Sequence, residues 1–411
     1  MKKRVYPRSV VHGKPILGEL PRGWSRVRFD DILRFIERPI KLKDNVEYQL
    51  VTVKRSRGGV VVRECLLGHE VKTPTQYIIK ADDFVISKRQ IVHGACGIVP
   101  HDLDGAIVSN EYSVLHPKTI LDLSFLGYLC HSAHFQKTCF HSSVGVHVEK
   151  MVFKVEEWLR QQIDIPPLPE QKSIAAILSA WDCAIEVLNQ QILAKELRRK
   201  AAMQRLLTGR LRFPKFTGRW TTIRLGDVFK NRVDTGRQDL PLLSITADSG
   251  VVGRETLERK DTSSEDKNTY LRICPGDIGY NTMRMWQGVS GYARLEGIVS
   301  PAYTVITPDP SVDAEFMAVL FKSAPVIHLF RRYSQGLVDD TLNLKYLSFA
   351  EIKVTIPQEK DEQTQIAALF RLIDQEIALL REELAITRKQ KQGLMQQLLT
   401  GKRRVNVPVA A

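Results

Sequence analysis

Short stretches that mix arginine or lysine with amide and hydroxyl side chains recur along this chain. They include VKRSRGG, with Lys54, Arg55 and Arg57, SKRQIVHG, with Lys88, Arg89 and Gln90, and HSSVGVH, with Ser142, Ser143 and His147. Further on come YNTMRMWQG, with Asn281, Arg284 and Gln287, and RRYSQG, with Arg331, Arg332, Ser334 and Gln335. Guanidinium, amide and hydroxyl groups on strand ends and loops are the groups that hydrogen-bond base edges in a DNA groove. Any one of them equally suits a surface charge or a structural turn, and Trp286 suits core packing better than base stacking. Denser basic runs suit phosphate oxygens. Between Lys195 and Arg219 there are nine Lys or Arg and one acid, with Arg198, Arg199 and Lys200 in the middle. After Thr387 come Arg388, Lys389, Lys391, Lys402, Arg403 and Arg404 with no acid. At the ends of helices such charges also complement the helix dipole.

Catalytic patterns are missing. No NPPY or DPPY tetrapeptide, no strand-linked GxGxxG and no GxxxxGKS/T occurs, and REC and RETLERK are ordinary charge runs rather than a nuclease core. Cys130, His131, His134, Cys139 and His141 invite a zinc reading, but two close ligand pairs at regular spacing are lacking. FLGYLCHSAHFQKTCF reads better as one amphipathic helix with Cys and His partly on its core face, so no metal is expected. The 6 cysteines form no CxxC, which suits free thiols in a reducing compartment. Lys and Arg total 60 against 46 acids, a formal charge of +14, which implies a polyanionic partner. No run of about eighteen apolar residues exists to span a bilayer, and MKKRVYPRSVVHGKPIL lacks the apolar core of a signal peptide. A cytoplasmic location is expected.

An internal repeat decides what positions these residues. MQRLLTGRLRF (203–213) and QQLLTGKRRV (396–405) share a motif, and residues 171–209 slide onto 363–401 without a gap, with 13 of 39 positions identical. Chance would give about two or three, so the chain carries a duplication. Apolar residues at Ile174, Leu178, Trp181, Ile185, Leu188 and Ile192 follow a heptad spacing, as do Ile366, Phe370, Ile373, Ile377, Leu380 and Leu384. Prolines 166, 167 and 169, and Pro357, precede the two stripes, and Gly209 and Gly401 end them. Fainter matches precede the helices. They are GWSRVRFDDI with RWTTIRLGDV, IVSNEYSVLHP with IVSPAYTVITP, and ADDFVISKR with CPGDIGYNTMR, all strand and turn patterns. SKR and TMR then occupy matching places, as do SSVG and YSQG.

The fold class expected is α+β: two similar α/β domains joined by two long antiparallel helices in a coiled coil, an internal repeat with pseudo-two-fold symmetry. The boundaries are an N-terminal arm (1–22), a first domain (23–165), a central long helix (166–209), a second domain (210–356), a C-terminal long helix (357–401) and a tail (402–411). Short connections favour the antiparallel arrangement. A helix of 39 residues is roughly 58 Å long, which spans roughly 17 base pairs. Domains at the two ends of such a rod would read two different half-sites.

The chain resembles the specificity subunit of type I restriction-modification systems. IPPLPEQKSIAAIL, IPQEKDEQTQIAALF, the two LLTG ends, and YNTMRMWQGVSG followed by GIVSPAY carry the resemblance over essentially the full length. IPQEKDEQ departs from the pattern by one extra residue and fewer prolines, which blurs the start of the second helix. The resemblance implies two target recognition domains, each reading half of a split asymmetric DNA site in the major groove, with the coiled coil setting the spacer. It implies no catalysis and no cofactor in this chain. Two methyltransferase subunits would use S-adenosylmethionine, and restriction subunits would use ATP. The alternative is a coiled-coil scaffold that joins protein partners without touching DNA, against which the basic balance argues.

Overall fold

The computed structural model describes residues 6, 7, 9–257 and 266–405. Residues 1–5 and 8 of the expected arm, 406–411 of the expected tail, and 258–265, which include the end of RETLERK, lie outside these. The chain divides into two compact units, one running to Val187 and resuming at Leu384, the other Leu188–Glu383. Each unit therefore holds one globular domain and half of each long helix.

In the first unit Ser25–Arg28 pairs antiparallel with Gln162–Ile165, so the strand that opens the domain lies beside the strand that closes it. A four-stranded antiparallel sheet runs in the order Leu33–Ile36, Tyr112–Pro117, Phe84–Ser87, Cys96–Ile98. Helices Leu123–Leu129, Ala133–His141 and Val155–Leu159 cover one face. The second unit repeats this order. Trp220–Arg224 pairs with Lys353–Pro357, and the sheet runs Phe229–Asn231, Tyr303–Pro308, Ile278–Asn281, Ser290–Tyr292. Its helices are Ala314–Leu320, Ala324–Tyr333 and Tyr346–Ala350. Both sheets present alternate apolar residues to the helices and turn the others to a second core, Val85 and Val114 in the first unit and Val305 in the second. Phe84, Ile86 and Leu115 lie in one core, and Ile278, Tyr280 and Ile306 in the other.

FLGYLCHSAHFQKTCF departs from the single helix expected of it. The chain breaks at Cys130–Ser132, because Asp122 and Ser132 each cap a separate helix, accepting from the backbone N–H of Phe125 and Phe135. The inserted strands also differ between units. The first has a five-stranded sheet containing the long hairpin Glu47–Val53 and Val60–Leu67. The second has the shorter hairpin Leu243–Thr246 and Gly250–Gly253. Gly97 and Gly291 mark the same close approach, since a Cβ there would lie 2.8 Å from Gly59 Cα and 2.6 Å from Gly250 Cα.

The long helices are Leu168–Leu206 and Lys360–Leu399. Contacts within each unit show them antiparallel. In the first unit Lys391 meets Asp182 at 2.5 Å and Arg404 meets Glu170 at 2.7 Å. In the second Arg199 meets Asp374 at 2.5 Å, Lys195 meets Glu376 at 2.5 Å, and Arg212 meets Glu362 at 2.6 Å. The seam buries Ile174, Leu178, Leu188, Ile366, Phe370, Ile377 and Leu384. A buried Leu or Ile contributes about 1.5–3 kcal/mol, against at most about 1 kcal/mol for an exposed ion pair, so the apolar seam dominates.

The duplicated LLTG has a structural task. Leu206, Leu207, Leu398 and Leu399 are buried, and Thr208 and Thr400 donate to the carbonyls of Gln204 and Gln396. Gly209 and Gly401 turn the chain at φ of +70° and +66°. A Cβ on Gly209 would sit 3.3 Å from the Trp220 ring, and one on Gly401 would sit 3.4 Å from the Trp24 ring and 2.6 Å from Pro21. At the other helix end Gln171 and Gln363, both buried, accept from the backbone N–H of Asp122 and Asp313 and donate to Pro166 O and Pro357 O. Each long helix is thereby tied at its start to the domain that precedes it.

Candidate nucleic-acid interface

Three of the polar loops of the first unit come together. Ser56 and Arg57 take positive φ, +56° and +59°, and their N–H groups donate to His93 O and Gly94 O. This seats the Lys54–Gly59 turn on the loop that follows Lys88–Gln90. Lys88 O accepts from Phe153 N, which brings in the segment after Ser142 and Ser143. Arg55 pairs with Glu149 at 2.8 Å, and Glu149 also lies 3.1 Å from His93 Nε2. Lys88 Nζ donates to Asn110 O, and Arg89 pairs with Glu111 at 2.5 Å. Lys54, Arg55 and Arg89 are exposed, and so is His147.

The second unit builds the same platform. Thr282 O accepts from Leu344 N, as Lys88 O does from Phe153 N. Gly94 and Gly288 both take left-handed conformations at φ 77° and cap equivalent short helices, Ile91–His93 and Met285–Gln287. Gln90 and Arg284 are the corresponding N-cap residues. The Arg331 guanidinium lies 5.1 Å from the centre of the Trp286 ring, so RRYSQG and YNTMRMWQG share one surface. Arg284, Gln287, Arg331, Arg332 and Gln335 are exposed, while Asn281 is half-buried and accepts from Met283 N.

Residues 21–195 match the family model of the type I restriction modification DNA specificity domain. The chain is 24% identical over 424 residues to the type I restriction enzyme MjaVIII specificity subunit of Methanocaldococcus jannaschii, covering 94% of each. It also resembles two solved structures in fold. One is the HsdS subunit of Thermoanaerobacter tengcongensis, with TM-score 0.50, 18% identity, 94% of this chain and 99% of that one. The other is the S subunit of a type I restriction-modification system from M. genitalium, with TM-score 0.54, 14% identity, 91% of this chain and 96% of that one. The likeness to type I restriction enzyme specificity subunits thus runs over nearly the whole chain, and the family model itself matches residues 21–195.

Several expected site residues hold other positions. Ser142 and Ser143 are buried, not groove-facing: Ser143 Oγ donates to Cys139 O, four residues back, closing the end of its helix. Ser334 makes the same bond to Phe330 O, so this matched pair is a shared helix end. SKR does not lie over TMR. Ser87 N bonds Ala95 O as Asn281 N bonds Val289 O, so SKRQ lies over NTMR and the two arginines, Arg89 and Arg284, are one place apart. Arg57 is half-buried against Gly94. Arg199 is committed to the helix seam, with Nε and Nη2 on Asp374 at 2.5 and 3.0 Å and its guanidinium 5.9 Å from the Phe370 ring centre. Its neighbours Arg198 and Lys200 are exposed.

Acidic side chains stand beside the basic ones in these loops. Glu111, Glu149 and Asp339 each pair with a basic loop residue, Arg331 meeting Asp339 at 2.7 Å. Their signal in the sequence is their place at strand and helix ends beside the basic, amide and hydroxyl candidates, and carboxylates read cytosine. Cys130 and Cys139 are buried, and among the described residues no group of three or more His, Cys, Asp or Glu is placed for a metal ion. A hydrogen bond with Cys130 and burial push the Cys96 thiol well above its ordinary pKa, and burial does the same to Cys139. Among the described residues no helix is long and apolar enough to cross a membrane.

Proposed function

We propose that this subunit reads a split, asymmetric duplex DNA site, one half with each unit, and carries no catalysis of its own. The observation that carries this reading is one scaffold that displays different side chains at the same places. The N-cap is Gln90 in one unit and Arg284 in the other, and the hairpin turn is Lys54–Gly59 in one and Thr246–Gly250 in the other. A fixed frame with variable tips is what reading two sequences with one architecture requires. The candidate base-reading residues are Lys54, Arg55, Arg57, Lys88, Arg89 and Gln90 in the first unit. In the second they are Asn281, Arg284, Gln287, Arg331, Arg332 and Gln335. Arg198 and Lys200 are candidates for phosphate.

Methylation and cleavage then belong to partners: two methyltransferase subunits that use S-adenosylmethionine, and restriction subunits that use ATP. A matching open cleft beside the long helices of each unit supports one methyltransferase subunit per unit. The cleft of the first unit, lined by Asp122, Tyr128, Lys172 and Ser179, measures about 570 Å³. That of the second, lined by Glu315, Val319, Ala367 and Arg371, measures about 970 Å³. Methylome sequencing of a cell that carries this chain and its methyltransferase tests the reading. It should return one bipartite motif with a constant gap, and a continuous motif or none rejects it. The lone chain incubated with S-adenosylmethionine and DNA should transfer no methyl group.

A further inference from the structure

Lys88 N donates to Glu111 O at 2.9 Å, and Thr282 N donates to Ala302 O at 3.1 Å. Two residues before each acceptor a serine hydroxyl receives its N–H, Ser109 for Glu111 and Ser300 for Ala302. The two units thus hold the same pair of turns with the same backbone bonds. The side chains at the tips differ in chemistry. In the first unit Arg89 grips Glu111, Nε to Oε2 at 2.5 Å and Nη2 to Oε1 at 3.3 Å, and the two side chains stay 59% and 46% exposed. In the second the same two places hold Met283, 45% exposed, and Ala302, also exposed. An ion pair this open adds little to stability. A methionine nearly half exposed on such a loop contributes only part of what a core methionine would.

We propose that these paired positions, 89 with 111 and 283 with 302, are a specificity-determining slot of the DNA site. In the first unit Arg89 addresses guanine N7 and O6 while Glu111 accepts from the cytosine N4 amino group, so the slot reads a G·C pair. Their mutual bonds hold both groups ready at the tip, and DNA exchanges those bonds for base contacts. In the second unit Met283 and Ala302 form an apolar slot against the thymine 5-methyl group, so the same place reads an A·T pair. This assignment rests on the DNA-reading function above.

The test is selection from a pool of randomised DNA duplexes by the subunit assembled with its methyltransferase partner. Arg89→Ala and Glu111→Gln should each lose roughly 5- to 150-fold discrimination at one G·C pair of one half-site, leaving the other positions intact. The double substitution Met283→Arg with Ala302→Glu should convert one A·T position of the other half-site to G·C. All side chains concerned are exposed, so the variants should melt like the wild type. A normal wild-type profile that none of the variants changes overturns the slot while leaving the DNA reading in place. Uniform weakening with unchanged base preference also overturns it, because the slot then touches phosphate. A wild-type complex that enriches no sequence overturns the DNA reading and the slot with it.

Discussion

Arg212 holds Glu362 with two parallel hydrogen bonds, Nε to Oε1 at 2.8 Å and Nη2 to Oε2 at 2.6 Å. The carboxylate is buried in the first turn of the second long helix, and the arginine stands just past the end of the first. A displacement of 192 residues on both sides gives Arg404 and Glu170, bonded in the same two-pronged way at 2.7 Å each. Each pair staples the exit of one long helix to the entrance of the other within its unit. Arg212→Ala would leave a buried carboxylate without its partner, which costs about 3–5 kcal/mol. Urea unfolding should show a loss of that order for Arg212→Ala and a smaller one for Arg212→Met combined with Glu362→Gln. A loss below about 1 kcal/mol for the single variant would mean that the bridge is ornamental.

The glycines of the LLTG ends should not be equivalent. Both sit in the left-handed region, where alanine costs about 1–2 kcal/mol. Gly401 adds a clash, since its Cβ would come within 2.6 Å of Pro21, whereas that of Gly209 would meet Trp220 at 3.3 Å. Gly401→Ala should therefore lower the melting temperature more than Gly209→Ala. The reverse order would show that Pro21 yields freely.

The heptad stripes, the LLTG ends and the duplicated strand patterns were legible because each is a local periodicity or a repeated string. The Arg212–Glu362 and Arg404–Glu170 staples were not, since their partners lie 150 and 234 residues apart and the arginines stand outside the gapless match. SKR and TMR align by their arginines in the sequence, whereas the backbone bonds of Ser87 and Asn281 place SKRQ over NTMR, a slip of one residue. The hairpin turns Lys54–Gly59 and Thr246–Gly250 share a role but almost no sequence, so only their contacts with Gly97 and Gly291 relate them. Ser142 and Ser143 were misplaced because a helix-ending serine and a groove-facing one look alike in a string.

Salt dependence separates the basic residues of the first long helix. Arg198 and Lys200 are exposed, whereas Arg199 is held by Asp374. If both free groups meet phosphate, Arg198→Glu with Lys200→Glu should flatten the slope of log affinity against log salt by about two. Arg199→Glu should instead lower stability through repulsion at the seam. An unchanged slope in the double variant removes this segment from the DNA channel.

His93 should make the first unit acid-sensitive. Burial, then the charge of Arg55, hold its pKa below the ordinary imidazole value, against an opposing pull from Glu149. Ser9 Oγ contacts the other ring nitrogen at 2.9 Å. Because the folded pKa is depressed, the unfolded chain takes up the proton first. The stability is present above about pH 6.5 and is lost as the pH falls below it. Denaturant unfolding at pH 7.5 and 5.5 should show a larger loss for the wild type than for His93→Gln. Equal losses would place the acid sensitivity elsewhere.

Arg284 offers the clearest separation of base reading from backbone attraction. Its backbone is fixed by bonds to Asn281 O and from Gln287 N, and its side chain is exposed at the N-cap where the first unit has Gln90. A guanidinium so placed either pairs with guanine or rests on phosphate, and the two differ in what its loss does. If it reads a base, Arg284→Ala should cost about 1–3 kcal/mol on the cognate site, relax one position of one half-site and leave the other half-site untouched. If it rests on phosphate, every sequence should weaken alike and the salt slope should fall by about one. Binding measured on the cognate duplex and on duplexes altered at single positions distinguishes them. The slip in register gives this outcome further weight, because base reading by Arg284 would assign the corresponding role in the first unit to Gln90 rather than to Arg89.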